Sequence, residues 1–416
     1  METSEKIGNL KSRMEKNLKE CILPFWSENL LDETNGGFYG RVQAGRVPDL
    51  QSPKSVVLNC RMLWTFTQSW KILGEEQYKD LARRAYDYVC DNFWDDTYGG
   101  VYWMVTCTGN LSEPEKRTYG QAFLIYSMAE YYQVFGDAHA LELAMKTLRH
   151  LNNHMKYSNG GYADSATRDW LRDDWVNIWV KNKMGAPKLL NSNMHLFEAV
   201  LALAKVHPDS YVISSLKEQL VFLLETAVDY DMQHLKAGMK EDGTRLDEEI
   251  NFGHDCECCY LMIEAAKLLK DAALLEKTQN VVDGIMERVY KEGIDPENGG
   301  LYYMADHVNG DLNRSKIWWV QAEGITAFFD SYQRSGEERY LDAAISIWDY
   351  VEANMVNYKD GDWYCVGKNR KADETLQMQQ NELACVFTNT EMAGKGKCPY
   401  HNSRACFEIM KRAEQY

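Results

Sequence analysis

Apolar residues recur at intervals of three and four in eight stretches of the chain, from LNCRMLWTFTQSWKILG, which begins at Leu58, to YLDAAISIWDYVEANM, which begins at Tyr340. That interval puts them on one face of an α-helix, and almost no segment alternates as a strand would. Several of these helices run into a glycine just past the last turn, at Gly74, Gly136 and Gly336, where a left-handed residue closes a helix. The pattern predicts an all-α protein.

Between the helices a second pattern recurs. After every second helix the chain makes an acidic or amide turn into glycine and then an aromatic: DETNGGFYG from Asp32, DDTYGGVYW from Asp95, YSNGGYAD from Tyr157, DPENGGLYY from Asp295 and KDGDWYC from Lys359. Gly37, Gly100 and Gly161 are 63 and 61 residues apart, and Gly300 to Gly361 is again 61. Gly161 to Gly300 is 139, two periods, with AGMKEDGTRLD (237 to 247) as the degenerate copy between them. Six helical hairpins with their turns on a common edge predict a closed (α/α)6 barrel, with an open solenoid as the competitor. Nothing rich in Pro, Gly or Ser divides the chain, so residues 1–416 are expected to form a single domain.

Composition narrows what such a barrel could do. Lys and Arg number 46 against 62 Asp and Glu, a net charge of −16 that would repel a phosphate backbone, so nucleic acid and anionic lipid are unexpected partners. No stretch approaches the roughly 20 apolar residues of a membrane span. The opening METSEKIGNLKSRMEKNLKE reads as a charged amphipathic helix and not as a secretory signal, and the 11 scattered cysteines read as reduced thiols; a cytoplasmic protein is expected. The 12 tryptophans and 25 tyrosines exceed what a core asks for. Flat aromatic faces flanked by Asn, Gln, Glu and Arg suit a neutral sugar, whose C–H faces stack and whose hydroxyls need paired donors and acceptors.

Three histidines stand in chemically dense segments. His254 opens GHDCECCYL with Glu257 three residues on, across one helical turn; the neighbouring Cys256, Cys258 and Cys259 crowd one turn and read as helix core rather than a metal site. His195 lies one turn after Asn191 and one turn before Glu198, and His401 forms a polar cluster with Asn402 and Arg404. The other six, His139, His207 and His307 among them, read as solvated surface. Trp318 and Trp319, adjacent at a helix entry, cannot both face the core. Signatures of nucleotide binding, zinc proteolysis and serine hydrolysis are absent.

GGFYG, CRMLWTF, YGQAF, APKLLNSNMHLFEA, GHDCE, KIWWVQAE, DWYC and CPYHNSR, in this order over roughly residues 20 to 412, resemble the cellobiose 2-epimerases of the N-acylglucosamine 2-epimerase superfamily. The resemblance implies an (α/α)6 barrel, no cofactor, no metal, a monomer or homodimer, and reversible epimerisation at C2 of the reducing-end aldose of a β-1,4-linked disaccharide. Carried onto this sequence, it implies His254 and His401 as the acid/base pair, with Glu257 assisting His254. It further implies His195 as a third imidazole on the sugar ring, Arg61 on the enediolate oxygens, Tyr119 and Asn191 as hydrogen-bonding partners, and Trp319 as a stacking face. The same motifs add Trp318, Glu323 and Trp363 as candidate substrate contacts. The chain departs from the pattern at Gly396 and Tyr260, each in place of a tryptophan, and at Lys183 and Gly185, in place of an acidic residue and an asparagine. The alternatives are an aldose–ketose isomerase or N-acylhexosamine 2-epimerase of the same superfamily, a hydrolase using two of Asp164, Asp169, Asp173 and Asp174, and a sugar-binding protein without activity.

Overall fold

The computed structural model describes residues 2–172, 186–367 and 389–416. Asp173, Asp174, Lys183 and Gly185 lie outside them. Helices run in outer–inner pairs. The inner helices are α3 (Val56–Leu73), α5 (Thr118–Phe135), α7 (Leu190–Val206), α9 (Phe252–Leu269), α11 (Trp318–Ser335) and α13 (Tyr400–Arg412). Each packs on the next, and α13 returns to α3, which closes the ring. Around it stand α1 (Thr3–Asn17), continued by α2 (Leu23–Asn29), then α4 (Glu76–Tyr88), α6 (Ala138–His150), α8 (Ser210–Phe222), α10 (Ala272–Gly293) and α12 (Glu338–Asn354). The expected (α/α)6 barrel is observed.

Sequence patterning separates the two layers. In α4 only Tyr78, Ala82, Ala85, Tyr86 and Tyr88 are buried, a stripe with the helical period; in α7 nearly every residue from Leu190 to Ala204 is buried. A one-sided stripe makes an outer helix, and apolar residues all round make an inner one. Gly74, Gly136 and Gly336 cap their helices with φ of 71°, 69° and 73°.

The repeated turns gather at the mouth formed by the N-terminal ends of the inner helices. In the first, the Asp32 carboxylate accepts from the Thr34 and Asn35 N–H groups at 3.1 and 2.9 Å, and the Gly36 N–H closes on the Asp32 carbonyl at 2.9 Å. Gly37 has φ 61°, and a Cβ there would come within 2.5 Å of the Tyr88 ring, so only glycine fits. A lysine just before the next inner helix then pins five of the six turns. Lys54 reaches Asp32 at 2.8 Å, Lys116 reaches Asp95 at 2.9 Å, Lys188 reaches Asn159 at 2.8 Å and Lys316 reaches Asp295 at 2.6 Å. Lys397 is bonded to Asp362 in the same way. These lysines are buried, a position that a charged group tolerates only with such a partner.

The fourth turn is not where glycine spacing put it. It is VDYDMQHL (228 to 235): Val228 pairs with Leu235, and the Gln233 N–H closes on the Asp229 carbonyl at 2.7 Å as Gly36 does on Asp32. Gln233 takes the left-handed φ of 56° itself, and His234 occupies the place of the second glycine. The AGMKEDGTRLD segment forms the hairpin that follows, pairing Gly238 with Leu189 ahead of α7. His234 is accordingly fully buried, which corrects its reading as solvated surface.

Candidate active site

All six inner helices bring side chains to this mouth from their first three turns: Arg61 from α3, Tyr119 from α5, His195 and Glu198 from α7, His254 and Glu257 from α9, Trp319 and Glu323 from α11, and His401 and Arg404 from α13. Helix N-termini carry partial positive charge, and six of them point at one place. An anion formed there is favoured before any side chain is counted.

Trp319 joins the two histidines expected to carry chemistry. The His254 ring lies 5.0 Å from it and the His401 ring 5.7 Å, tilted by 37° and 42°. Gly253 permits the approach, since a Cβ there would meet the Trp319 ring at 2.5 Å. His401 Nδ1 is 2.6 Å from Glu323 Oε1, and His195 Nδ1 is 2.9 Å from Glu198 Oε2; a ring engaged at Nδ1 has Nε2 left for substrate. His254 Nδ1 has no hydrogen-bond partner among the described residues.

Beneath the rings lies a buried charge cluster. Arg404 bonds to Glu198, to Glu257 at 2.5 Å and to Glu323 at 2.7 Å; Tyr400 also donates to Glu198, and Tyr260 donates to Glu323 at 2.8 Å. Burial opposes ionisation of Glu198, but Arg404 and His195 hold its carboxyl below the usual range. Burial and the charge of Glu323 push the Glu257 carboxyl well above it, against the opposing pull of Arg404. Burial lowers all three imidazoles: His254 falls to about 3, with His195 adding to the effect, and His401 falls well below its ordinary value, with Arg61 and Arg404 adding. The resting site therefore holds neutral imidazoles, the form that can accept a proton.

Among the described residues Arg61 has no carboxylate as a hydrogen-bond partner. Nη2 donates to the Tyr119 hydroxyl at 2.6 Å, Nη1 to Cys398 Sγ at 3.0 Å, and the plane lies 4.1 Å from the Phe123 ring centroid. A buried guanidinium with weak acceptors keeps its charge available to an incoming oxyanion. Glu257, Glu323 and His401 bring ligand-type atoms within 4.8 Å of one another, as do His195, Glu198 and Glu257. The Arg404 guanidinium already serves these carboxylates as their cation.

Several expected residues stand elsewhere. Trp363 donates to Asn17 at 2.8 Å, and Trp318 lies under Lys397, both in the wall of the barrel; residue 318 points away from the face that carries Trp319 because successive helical residues diverge by about 100°. Glu257 turns to Arg404 instead of the His254 ring. Asn191 is partly exposed one turn before His195. Asp169 is exposed, and Asp164 is buried and bonded to Ser192. Cys256, Cys258 and Cys259 are buried in α9. Glu198, Tyr400 and Cys398 were not among the expected site residues, although Glu198 stands one turn after His195.

A ring of six helical hairpins whose N-terminal mouth holds neutral imidazoles, a shared tryptophan and a buried arginine is an arrangement suited to moving a proton on a sugar. The model of the N-acylglucosamine 2-epimerase (GlcNAc 2-epimerase) family matches residues 36–382, and the chain belongs to that family. It is 30% identical to the cellobiose 2-epimerase of Bacteroides fragilis over 402 residues, 96% of this chain and 98% of that one. With the cellobiose 2-epimerase of Ruminococcus albus the identity is 31% over 402 residues, again 96% and 98% of the two chains. The crystal structure of a sugar epimerase from a ruminal bacterium superposes with a TM-score of 0.88 at 31% identity, covering 97% of this chain and 99% of that one. The protein is a carbohydrate epimerase, an isomerase by reaction class.

Proposed function

We propose that the protein epimerises C2 of the reducing-end aldose of a β-1,4-linked disaccharide of the cellobiose, mannobiose or lactose type. The observation that carries this reading is the packing of His254 and His401 on one tryptophan ring, beside an arginine whose hydrogen-bond partners among the described residues include no carboxylate. In the open-chain sugar the C2 hydrogen is α to the aldehyde. A neutral imidazole removes it, the electrons pass to O1, and the cis-enediolate is held by Arg61 and by the helix N-termini. An imidazole on the other face returns a proton to C2 and inverts the centre. His195 contacts the ring, and the Trp319 face stacks on it.

A monosaccharide substrate is the second reading, favoured by Gly396, which removes a stacking face that the resemblance expects. Incubation with cellobiose, mannobiose, lactose, mannose and N-acetylmannosamine in D2O separates the two. C2 epimers of a disaccharide with deuterium at C2 are the expected products. A ketose, or epimers of the monosaccharides alone, would favour the second reading, and no exchange with any sugar would end both.

A further inference from the structure

The fourth residue of an inner helix holds the neighbouring turn in three of the repeats. Gln121 of α5 accepts from the Val101 N–H at 2.9 Å and donates to the Val101 carbonyl at 2.7 Å. Gln321 of α11 does the same to Leu301, at 2.7 Å both ways, and Asn193 of α7 to Tyr162, at 2.7 and 3.2 Å. Each clamp is a neutral amide, which both accepts and donates.

Helix α9 has Asp255 at this position. Its Oδ1 accepts from the Leu235 N–H at 2.9 Å, but an ionised carboxylate has no donor to return. Its other oxygen meets His234 Nδ1 at 2.7 Å, and His234 Nε2 lies 3.2 Å from Glu292 of α10. The groups around this imidazole are Asp255, Glu292 with Arg288 on it at 2.6 Å, and Arg245, which reaches the Leu235 carbonyl at 3.3 Å and Asp229 at 3.3 Å. Burial lowers the basicity of His234, but Asp255 and then Glu292 outweigh it and leave it raised. His234 therefore stands where four other repeats have glycine, and with Asp255 it replaces an amide clamp by a carboxylate–imidazole pair.

The location gives the substitution its meaning. Asp255 follows His254 on the first turn of α9. His195 and His401 are each tethered by a glutamate, whereas among the described residues the His254 ring has no such tether; its backbone N–H is capped by Asn251 at 3.1 Å and its ring rests on Trp319. The position of that ring follows the position of the turn.

We infer that His234 is a positioning residue for His254: acting through Asp255, it fixes the first turn of α9 and with it an imidazole that no carboxylate among the described residues holds. The inference rests on His254 being an acid/base of the proposed reaction, and it is tested with His234→Leu and His234→Asn. The asparagine amide N–H reaches Asp255 as Nδ1 does, and the leucine has no donor.

His234→Leu is expected to slow deuterium incorporation at C2 about tenfold with KM within about twofold, because a shifted ring costs turnover more than binding. His234→Asn is expected to recover most of that loss. In His234→Asn an imidazole that its neighbours hold toward the protonated form gives way to a neutral amide, so the acid limb of the pH–rate profile is expected to move up by about half a unit. The His254 ring proton resonances of the free protein report on the clamp without any substrate: shifted in His234→Leu, near wild type in His234→Asn. Wild-type resonances in His234→Leu would overturn the inference, as would equal losses in both variants with an unmoved pH profile, which is the signature of a merely structural role. Failure of the wild type to act on any sugar would instead break the functional reading, and the resonances would still judge the clamp.

Discussion

The two mouths of the barrel use the same residue types to opposite ends. At the mouth formed by the C-terminal ends of the inner helices, charges are matched across the ring. Lys205 meets Glu264 at 2.7 Å, Arg412 bridges Asp330 at 2.9 Å and Glu264 at 3.3 Å, and Arg334 holds Asp330 at 2.8 Å. Burial opposes ionisation of Glu264, yet Lys205 and Arg412 lower its carboxyl to about 2. At the other mouth Glu198, Glu257 and Glu323 share Arg404, the Glu257 carboxyl is pushed well above its usual range, and among the described residues Arg61 is held by a phenol and a thiol. Matched charges lock a structure; a deliberate mismatch keeps charge and protons ready for a reaction.

The largest break in this comparison is expected at the histidines. His254→Ala or His401→Asn should lower the rate of C2 epimer formation by about 10³-fold, the usual scale for an acid/base group, while sugar affinity stays within a few fold; chromatography and titration calorimetry read the two. A variant that kept both affinity and turnover would remove the residue from the mechanism.

Next comes Arg404→Leu, which strands three carboxylates at one point and should cost about 3–5 kcal/mol in chemical denaturation, as removal of one member of a buried ion cluster does.

Glu264→Gln and Glu257→Gln set the mouths against each other directly. The Glu264 carboxyl lies below its unfolded value of 4.5, so its stabilisation is present above that pH and is lost as pH falls from 4.5 toward 2. Glu264→Gln should therefore lower stability at neutral pH and flatten the acid side of the stability curve. Glu257 lies above 4.5, so its contribution is present below that pH and is lost as pH rises through the raised value. Glutamine resembles the protonated acid, so Glu257→Gln should barely change stability at pH 5 and should raise it at alkaline pH. Denaturation curves from pH 3 to pH 9 decide both.

The smallest expected change sharpens substrate choice. Gly396→Trp restores a stacking face worth about 1 kcal/mol, which should lower KM for a disaccharide about fivefold and leave that for mannose unchanged.

Much of this was legible in the chain because the repeat is written in glycines. Gly37 and Gly100 mark turns that no other residue fits. The fourth turn escaped for the same reason: Gln233 tolerates the left-handed φ that the pattern assigned to glycine, and His234 replaces the second glycine. The three histidines, Arg61 and Trp319 are brought together, since helix period and motif order fix which residues begin each inner helix. The partners were harder to see. Glu257 spaced three residues from His254 promised a local pair, but Arg404, 147 residues further on, engages it. Glu198 is likewise joined to Tyr400 across 202 residues, a relation that ring closure makes and local spacing does not carry.

Ring closure by α13 also bears on how the protein comes into being. A growing chain that has reached the end of α12 possesses five inner helices, His195, His254 and Arg61, and the carboxylates Glu198, Glu257 and Glu323 facing one another without a cation. His401 and Arg404 arrive together on the final inner helix, one bringing chemistry and the other relieving the repulsion. On the proposed mechanism a ring without α13 lacks both its second acid/base and the cation its buried glutamates share, so closure and activity would depend on the same helix.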